Sequence, residues 1–367
     1  MNQIATQGSN LRALQPEIGQ GRRARLARAV RRSGTLHALQ AARDALLGGV
    51  RILAYHRILE SAEPAGFVFD PGLISASASA FDAQMAIIKR RYRPMSLGDV
   101  LGYVERGEAL PARAVVITFD DGYEDNHRVA FPILRKHGIP ATFFVSTAHI
   151  DSGRPYAFDW LYHMICTTEG ARCRIPDLGI DAAIPSLLTE RRELAAHVLD
   201  RIKLLDALRQ EAVIMELAAG WDMPPPASVP SCRPMTWAQV QDLHAAGMEI
   251  GSHGMHHRML SKLDDQALAN ELAGSRAALL AHIDAPVAVL SYPVGGRDAF
   301  DARVVEAARR SGFMIGCSYI EGVDKPTPAN VMSLRRIAIE RDMDLAWFEA
   351  LLAIPETFSY ATKHRVG

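Results

Sequence analysis

From residue 50 onward, short and mostly apolar runs alternate with longer stretches in which apolar positions recur every three to four residues. The short runs fall at 50–56 ("VRILAYH"), 114–119 ("AVVITF"), 141–146, 248–252, 287–292, 313–318 and 335–340. Each is short enough for a strand, and the most apolar of them, 114–119, reads as a central, buried one. The stretches at 81–92, 96–107, 126–138, 236–247, 264–283 and 300–311 predict helices. Ser96 supplies an N-cap, and "TWAQ" at 236–239 has the spacing of a capping box. Gly138 ends its helix, and Pro140 prevents continuation. Seven apolar strands linked largely by helices imply an α/β protein with a parallel sheet or barrel.

Two regions break the rhythm. Residues 150–234 carry the helical pattern of "TERRELAAHVLDRIKLLDALRQEAVIMELAAG" and the proline-rich connector "DMPPPASVPSCRP". They read as a mainly helical insertion forming a wall or lid. At the other end, 1–21 is polar and loose. Residues 22–47 predict a helix with an apolar side at Leu26, Ala29, Val30, Leu36, Leu39 and Leu46. Arg22, Arg23, Arg25, Arg28, Arg31 and Arg32 crowd its first half without an acid among them. Such a helix either packs loosely on the main domain or lies on an anionic membrane surface. The expected organisation is a tail and basic helix over 1–48, the main domain over 49–355, and a C-terminal tail over 356–367.

Composition narrows the field. The 367 residues are 49% hydrophobic and 22% charged with no net charge, which gives no general reason to expect a nucleic-acid partner. Cys166, Cys173, Cys232 and Cys317 form no CxxC pair and read as free thiols in a reducing compartment. No apolar segment approaches a membrane span, and the first residues lack the apolar core of a secretory signal. The expectation is a cytoplasmic protein, peripheral at the inner membrane face if the basic helix engages lipid.

Chemistry concentrates in two places. The strand at 114–119 ends in Asp120 and Asp121, two adjacent carboxylates whose repulsion and desolvation oppose folding. In "MEIGSHGMHHRMLSKL" a strand ends before His253, and His257 follows four residues later. On a helical turn that spacing points both rings one way, with His256 directed elsewhere. The HExxH reading of a metalloprotease fails, because Gly254 stands where the general base belongs. Two histidines and one carboxylate make the three-ligand catalytic site of zinc. Both clusters sit at C-terminal ends of strands, where α/β barrels gather their catalytic groups. One aspartate would bind the metal, offsetting the repulsion, and the other would remain free as a general base.

"TFDDGY" followed by "SHGMHH", with "AFPILRKHGIPATFFV" between them, resembles the NodB-type polysaccharide deacetylases of carbohydrate esterase family 4. The resemblance covers about residues 50–350. It implies a distorted (β/α)7 barrel and a hydrolase removing N-acetyl, occasionally O-acetyl, groups from sugars. It implies Asp120 as base, with Asp121, His253 and His257 as ligands of a divalent metal: zinc, with cobalt or nickel as alternatives. The substrate would be a polysaccharide or its lipid-linked precursor, in exopolysaccharide or cell-envelope synthesis.

Two departures stand out. The family's Arg-Pro-Pro-Tyr-Gly stretch is replaced by "SYPVG" at 291–295, leaving a backbone N–H near Val294 for the oxyanion. Arg297 and Arg336 are both candidates for orienting the base. The late histidine of a Leu-x-His motif is missing, since after residue 300 only His364 occurs. A permuted subgroup, similar to the poly-N-acetylglucosamine deacetylases, places the acid's strand first and closes it with Tyr-His. "ILAYHRI" at 52–58 matches, making His56 the expected general acid. A buried structural histidine is the competing account of His56. For the whole chain, the competing account is a non-catalytic carbohydrate-binding module within a polysaccharide assembly complex. A glycosidase would need two carboxylates facing each other across a cleft, which adjacent aspartates do not offer.

Overall fold

The structure is a computed structural model, and it describes residues 21–61 and 66–360. Seven strands form the centre: β1 (Arg51–Tyr55), β2 (Ala114–Phe119), β3 (Thr142–Val145), β4 (Glu249–Ser252), β5 (Val289–Ser291), β6 (Ile315–Glu321) and β7 (Leu334–Ala338). All seven were legible as apolar runs. Each pairs in parallel with the next in sequence, and β7 pairs back to β1, so the sheet closes into a barrel. Parallel neighbours and covering helices bury both faces, which explains the lack of polar alternation. Phe119 stacks on Phe143 at 4.8 Å, and Tyr55 lies 5.5 Å from Phe119. Gly251 is small for a reason: a Cβ there would stand 2.5 Å from Val289 and 2.6 Å from Phe144.

The predicted helix signals act as expected. Ser96 and Thr236 form reciprocal capping boxes with Asp99 and Gln239, and Gly138 ends its helix in the left-handed conformation. The helix after β2 opens with a π-turn over Asn126–Ala130 before Phe131–His137. Two short pairings lacked a clear pattern: Arg57–Leu59 with Ile74–Ser77, and Arg93–Pro94 on the edge of β2.

The insertion carries helices Ala157–Thr167, Leu188–Ile202 and Ala207–Gly220 around a core of its own that includes Leu161, Met164, Ile165, Val198 and Ile202. It also contains an antiparallel hairpin, Arg172–Ile175 with Ile180–Ala183, which the helical reading missed. Those strands are four residues each, too short to show a period.

The single N-terminal helix expected over 22–47 is two helices, α1 (Arg22–Arg32) and α2 (Leu36–Leu46), broken around Gly34 at φ +73°. Their inner face also differs from the expected stripe. Ala24, Ala27 and Leu36 are buried, whereas Leu26, Leu39 and Leu46 are exposed. Arg28 pairs with Asp344 at 2.8 Å and Arg31 with Glu349 at 2.9 Å, fixing α1 to the helix Leu345–Ala353. At the C-terminus Phe358 is buried, and Glu356 pairs with Arg43 at 2.7 Å. His364 lies outside the described residues.

Candidate metal and catalytic centre

Register brings the chemistry to one rim. Tyr55 of β1 is opposite Phe119 of β2, and the Asp120 N–H donates to the Tyr55 carbonyl at 2.9 Å. His56 and Asp120 therefore leave the barrel side by side. Val145 of β3 is opposite Ser252 of β4, so His253 emerges at the same end.

The two aspartates diverge as soon as the strand ends. Asp120 turns to Arg336, which reaches it from β7. Nη1 donates to Oδ1 at 2.8 Å and Nη2 to Oδ2 at 2.6 Å, a bidentate fork. The same guanidinium donates to the Ser318 carbonyl, Ser291 Oγ and Thr118 Oγ1 at 2.7, 3.0 and 3.2 Å. Both partners are buried. Burial is the largest single influence and pushes the Asp120 carboxyl up, but the Arg336 charge and hydrogen bonds, together with the neighbouring His253 and His56, hold it below the usual range. Arg297 is exposed on its loop, so the choice between the two arginines falls to Arg336.

Asp121 turns the other way. Its Oδ1 lies 3.2 Å from His257 Nε2 and 3.4 Å from His253 Nε2, and it is buried without a hydrogen bond of good geometry. Burial alone would raise this carboxyl, but the two imidazoles facing it hold it well below the usual range. Among the described residues, Asp121, His253 and His257 are the one group of three whose ligand atoms converge. The donors fit a divalent cation of the zinc type. Each ring presents Nε2, and the His253 Nδ1–H donates to the Ser291 carbonyl at 2.8 Å, which fixes the tautomer that leaves Nε2 free. A buried carboxylate oxygen without a hydrogen-bond donor is where a cation would remove an electrostatic cost.

The histidine pair converges by a route other than the helical turn expected from its spacing. Residues 253–257 form an irregular loop, with Gly254 at φ +75° and His257 at φ +57°. The chain doubles back through two left-handed residues. A β-carbon at Gly254 would also come within 3.1 Å of Glu271. Glu271 pins the loop, accepting from the backbone of Met255 at 2.8 Å and from the backbone of His256 at 2.5 Å. It also holds the His256 ring at 2.9 Å, which turns that third histidine away from the site.

His56 stands at the head of β1 with its backbone held on both sides. Its N–H donates to Ser75 Oγ at 2.9 Å, and its carbonyl accepts from Asn126 Nδ2 at 2.7 Å. The ring meets the edge of Tyr319 at 5.4 Å. Burial lowers its proton affinity, while the Asp121 and Asp120 charges oppose the shift. Val294 sits at φ +65°, a left-handed conformation costly for a β-branched side chain, and its N–H has no acceptor among the described residues.

The start of the insertion lies beside the site. Tyr156 and Phe158 bring their rings 5.4 and 5.3 Å from His257, and the Tyr156 hydroxyl donates to the Asp121 carbonyl. Tyr156 escaped sequence reasoning because it lies 35 residues from Asp121 in a segment without a motif. Asp125 and Asn126 had a signal, since they continue the polar run "DDGYEDN". Asp125 accepts from Arg57 at 2.9 Å and from the Ile58 N–H at 3.0 Å, locking the chain just after His56.

The sequence profile of one family, described as polysaccharide deacetylase, matches residues 107–316. The chain belongs to the polysaccharide deacetylase family. Among curated relatives, a poly-beta-1,6-N-acetyl-D-glucosamine N-deacetylase of Staphylococcus aureus is 33% identical over 105 residues, 27% of this chain and 36% of the relative. The protein of the same description from Escherichia coli K12 is 30% identical over 105 residues, 28% of this chain and 15% of the relative. The match thus spans about a third or less of these relatives' own lengths. Among solved structures, the Streptococcus pyogenes deacetylase PplD in complex with acetate superposes with a TM-score of 0.54 at 21% identity, covering 85% of this chain and 99% of that one. IcaB from Ammonifex degensii gives 0.50 at 19% identity, covering 83% and 97%. At these identities the structural likeness concerns the fold, which is that of a polysaccharide deacetylase barrel.

Proposed function

We propose that this polysaccharide deacetylase removes N-acetyl groups from an acetylated hexosamine polymer, with Asp121, His253 and His257 holding a divalent metal. The observation that carries the reading is the opposite fate of two adjacent carboxylates. Asp120 is clamped by Arg336 with both oxygens engaged, while Asp121 presents a buried oxygen, without a hydrogen bond, between two imidazole nitrogens. A degenerate binding module has no need to keep that division, which disfavours the non-catalytic reading. The relatives described as acting on poly-beta-1,6-N-acetyl-D-glucosamine make that polymer the first substrate to test.

The metal, when bound, supplies Lewis-acid polarisation and a more acidic water. The chain's own groups do the rest. Asp120 accepts the proton of the attacking water, and Arg336 keeps it ionised and aimed. The Val294 N–H donates to the acetyl oxygen as negative charge gathers there. The sugar nitrogen leaves poorly as an anion, so it has to be protonated as the C–N bond breaks. His56 is the donor on the same rim. Burial makes its imidazolium a stronger acid, and the nearby carboxylates help to load it with a proton.

The test is acetate release from β-1,6-linked N-acetylglucosamine oligomers, compared with β-1,4-linked ones, before and after chelation and after adding back zinc, cobalt or nickel. Full activity after exhaustive chelation would remove the metal from the reading. Absence of release from every acetylated saccharide by metal-loaded protein would favour the binding module.

A further inference from the structure

The N-terminal hairpin of helices is built inside out. In α2 the inward positions hold Gln40, Arg43 and Asp44 as well as Leu36. Gln40 donates to the Tyr92 hydroxyl at 2.8 Å, Arg43 to the Gly48 carbonyl at 2.6 Å, and Asp44 accepts from Arg51 at 2.5 Å. The outward positions are His37, Ala38, Leu39, Ala41, Ala42, Ala45 and Leu46, with the exposed Leu47 just beyond the helix. Leu46 is 79% exposed, Leu47 51% and Leu39 43%. A helix on a protein surface ordinarily turns such a face inward. A run of exposed apolar residues along a whole helix marks a surface that something covers.

The neighbouring helix indicates what covers it. Arg28 and Arg31 of α1 are spent on Asp344 and Glu349. Arg22, Arg25 and Arg32 point outward with no carboxylate within ion-pair distance among the described residues, and Leu26 beside them is 48% exposed. α1 contains no acidic residue. Both helices dock on the helix Leu345–Ala353, so the arginines and the apolar face share one flank of the barrel. No described helix is long and apolar enough to cross a membrane.

We propose that this flank seats on an anionic phospholipid surface, with the α2 leucines entering the acyl boundary and Arg22, Arg25 and Arg32 meeting the headgroups. Apolar side chains flanked by unpaired arginines are what an interfacial contact requires, and either feature alone binds weakly. The partner is a lipid surface rather than an acidic protein, because the exposed leucines and alanines lie beside unpaired arginines, and the hollow next to Leu46 and Leu47 is lined by the charged groups Arg43, Asp324, Lys325 and Glu356 and offers no apolar socket for a partner's side chain. The contact leaves the catalytic rim free. Asp44 grips Arg51 at the start of β1, the end of that strand opposite His56.

The experiment is co-sedimentation of the full chain with vesicles of phosphatidylcholine alone and of phosphatidylcholine mixed equally with phosphatidylglycerol, at low and high salt. Binding is expected only to the anionic vesicles and weaker in salt. Replacing Arg22, Arg25 and Arg32 by Gln should lower partitioning roughly 100-fold, because each basic group near such a surface is worth about 1 kcal/mol, or fivefold. Leu39→Ser with Leu46→Ser should lower it by at least tenfold, and both variants should keep wild-type acetate release. A solvatochromic dye on Leu46→Cys reads the face directly, since the four native cysteines are buried. Its emission should shift blue on adding anionic vesicles. Equal binding to neutral vesicles, or unchanged binding after the arginine or leucine replacements, overturns the proposal. So does emission already blue-shifted before any lipid is added. In that case a dimer by light scattering would show a second copy on the face, and a monomer would show residues 1–20 folded over it.

Discussion

Arg336→Met separates the architectural from the chemical part of the site. Arg336 makes five hydrogen bonds inside the barrel, two of them to Asp120, and both partners are buried. Removing one member of such a pair strands the other charge, at a cost of about 3–5 kcal/mol. That is a large fraction of a domain's usual 5–15 kcal/mol. The sign with pH follows from the direction of the shift. Asp120 in the native chain lies below its ordinary value of 3.8, so the pair's contribution is present above that value and lost as pH falls through the lowered one. In the Met variant burial, the largest influence on this carboxyl, is no longer opposed by the arginine, so Asp120 should titrate higher than in the native chain. The deficit is therefore full at neutral pH and shrinks on acidification, as Asp120 takes up a proton within the fold. Urea unfolding with chelator present, at neutral and at mildly acidic pH, measures this. Asp120→Asn in the same background should cost much less than in the wild type, with a coupling of about 2–3 kcal/mol between the two changes. Additivity within about 0.5 kcal/mol, or a deficit that does not change with pH, would refute the assignment of Arg336 as the group that keeps Asp120 ionised.

Further outcomes follow from the same geometry. His253→Ala or His257→Ala should abolish stoichiometric zinc binding by equilibrium dialysis and acetate release with it, and Asp121→Asn should weaken both. Asp120→Asn should keep the metal and lose turnover by about 10²–10⁴-fold; equal metal loss in the two Asp→Asn variants would mean that the roles are reversed. Tyr156→Phe removes the hydroxyl bonded to the Asp121 carbonyl and should weaken metal affinity by about 10–100-fold without unfolding the barrel, a result read by dialysis and circular dichroism. His56→Ala should keep the metal, hydrolyse N-acetyl substrates very slowly, and lose the decline of rate at high pH. An activated acetate ester, whose leaving group needs no proton, should suffer much less, and an equal fall on both substrates would exclude His56 as the leaving-group acid.

The barrel was legible because its strands are buried on both faces. Apolar runs such as "AVVITF" have no other home in a chain of this composition, and their helix partners carry caps. The carboxylate pair was legible for a related reason: Asp120 and Asp121 follow such a run directly and violate its logic. What stayed hidden depends on distance or on backbone conformation. Arg336 sits in β7 within an apolar stretch, and nothing local separates it from Arg297; only closure of the barrel brings β7 across to Asp120. Tyr156 and its bond to Asp121 depend on how the insertion folds back. The His253–His257 spacing was informative although the inferred geometry was not, since a loop with two left-handed residues and a helical turn both bring positions i and i+4 together. The inverted face of α2 was misread because an apolar stripe was assumed to point inward.

Backbone strain gives an independent indication of where the selected function lies. Five non-glycine residues have positive φ among the described residues, and three of them are Asp121, His257 and Val294. Such conformations cost of order 1–3 kcal/mol each for ordinary side chains and persist only where the surroundings over-determine them. The surroundings here do so in each case. Asp121 is held through its carbonyl by Tyr156 and followed by Gly122, also left-handed, whose missing Cβ avoids a 2.9 Å contact with Val145. His257 follows a loop tied twice to Glu271. Val294 precedes Gly295, whose carbonyl accepts from the Tyr319 N–H at 2.7 Å. A fold selected for stability alone would place glycine or asparagine at these positions. Two of the strained residues carry the side chains proposed to bind metal, and the third aims the N–H proposed for the oxyanion. Three of the five strained positions thus fall where the proposed reading needs a side chain or an N–H to face the reacting atoms, and the barrel beneath supplies the stability that tolerates them.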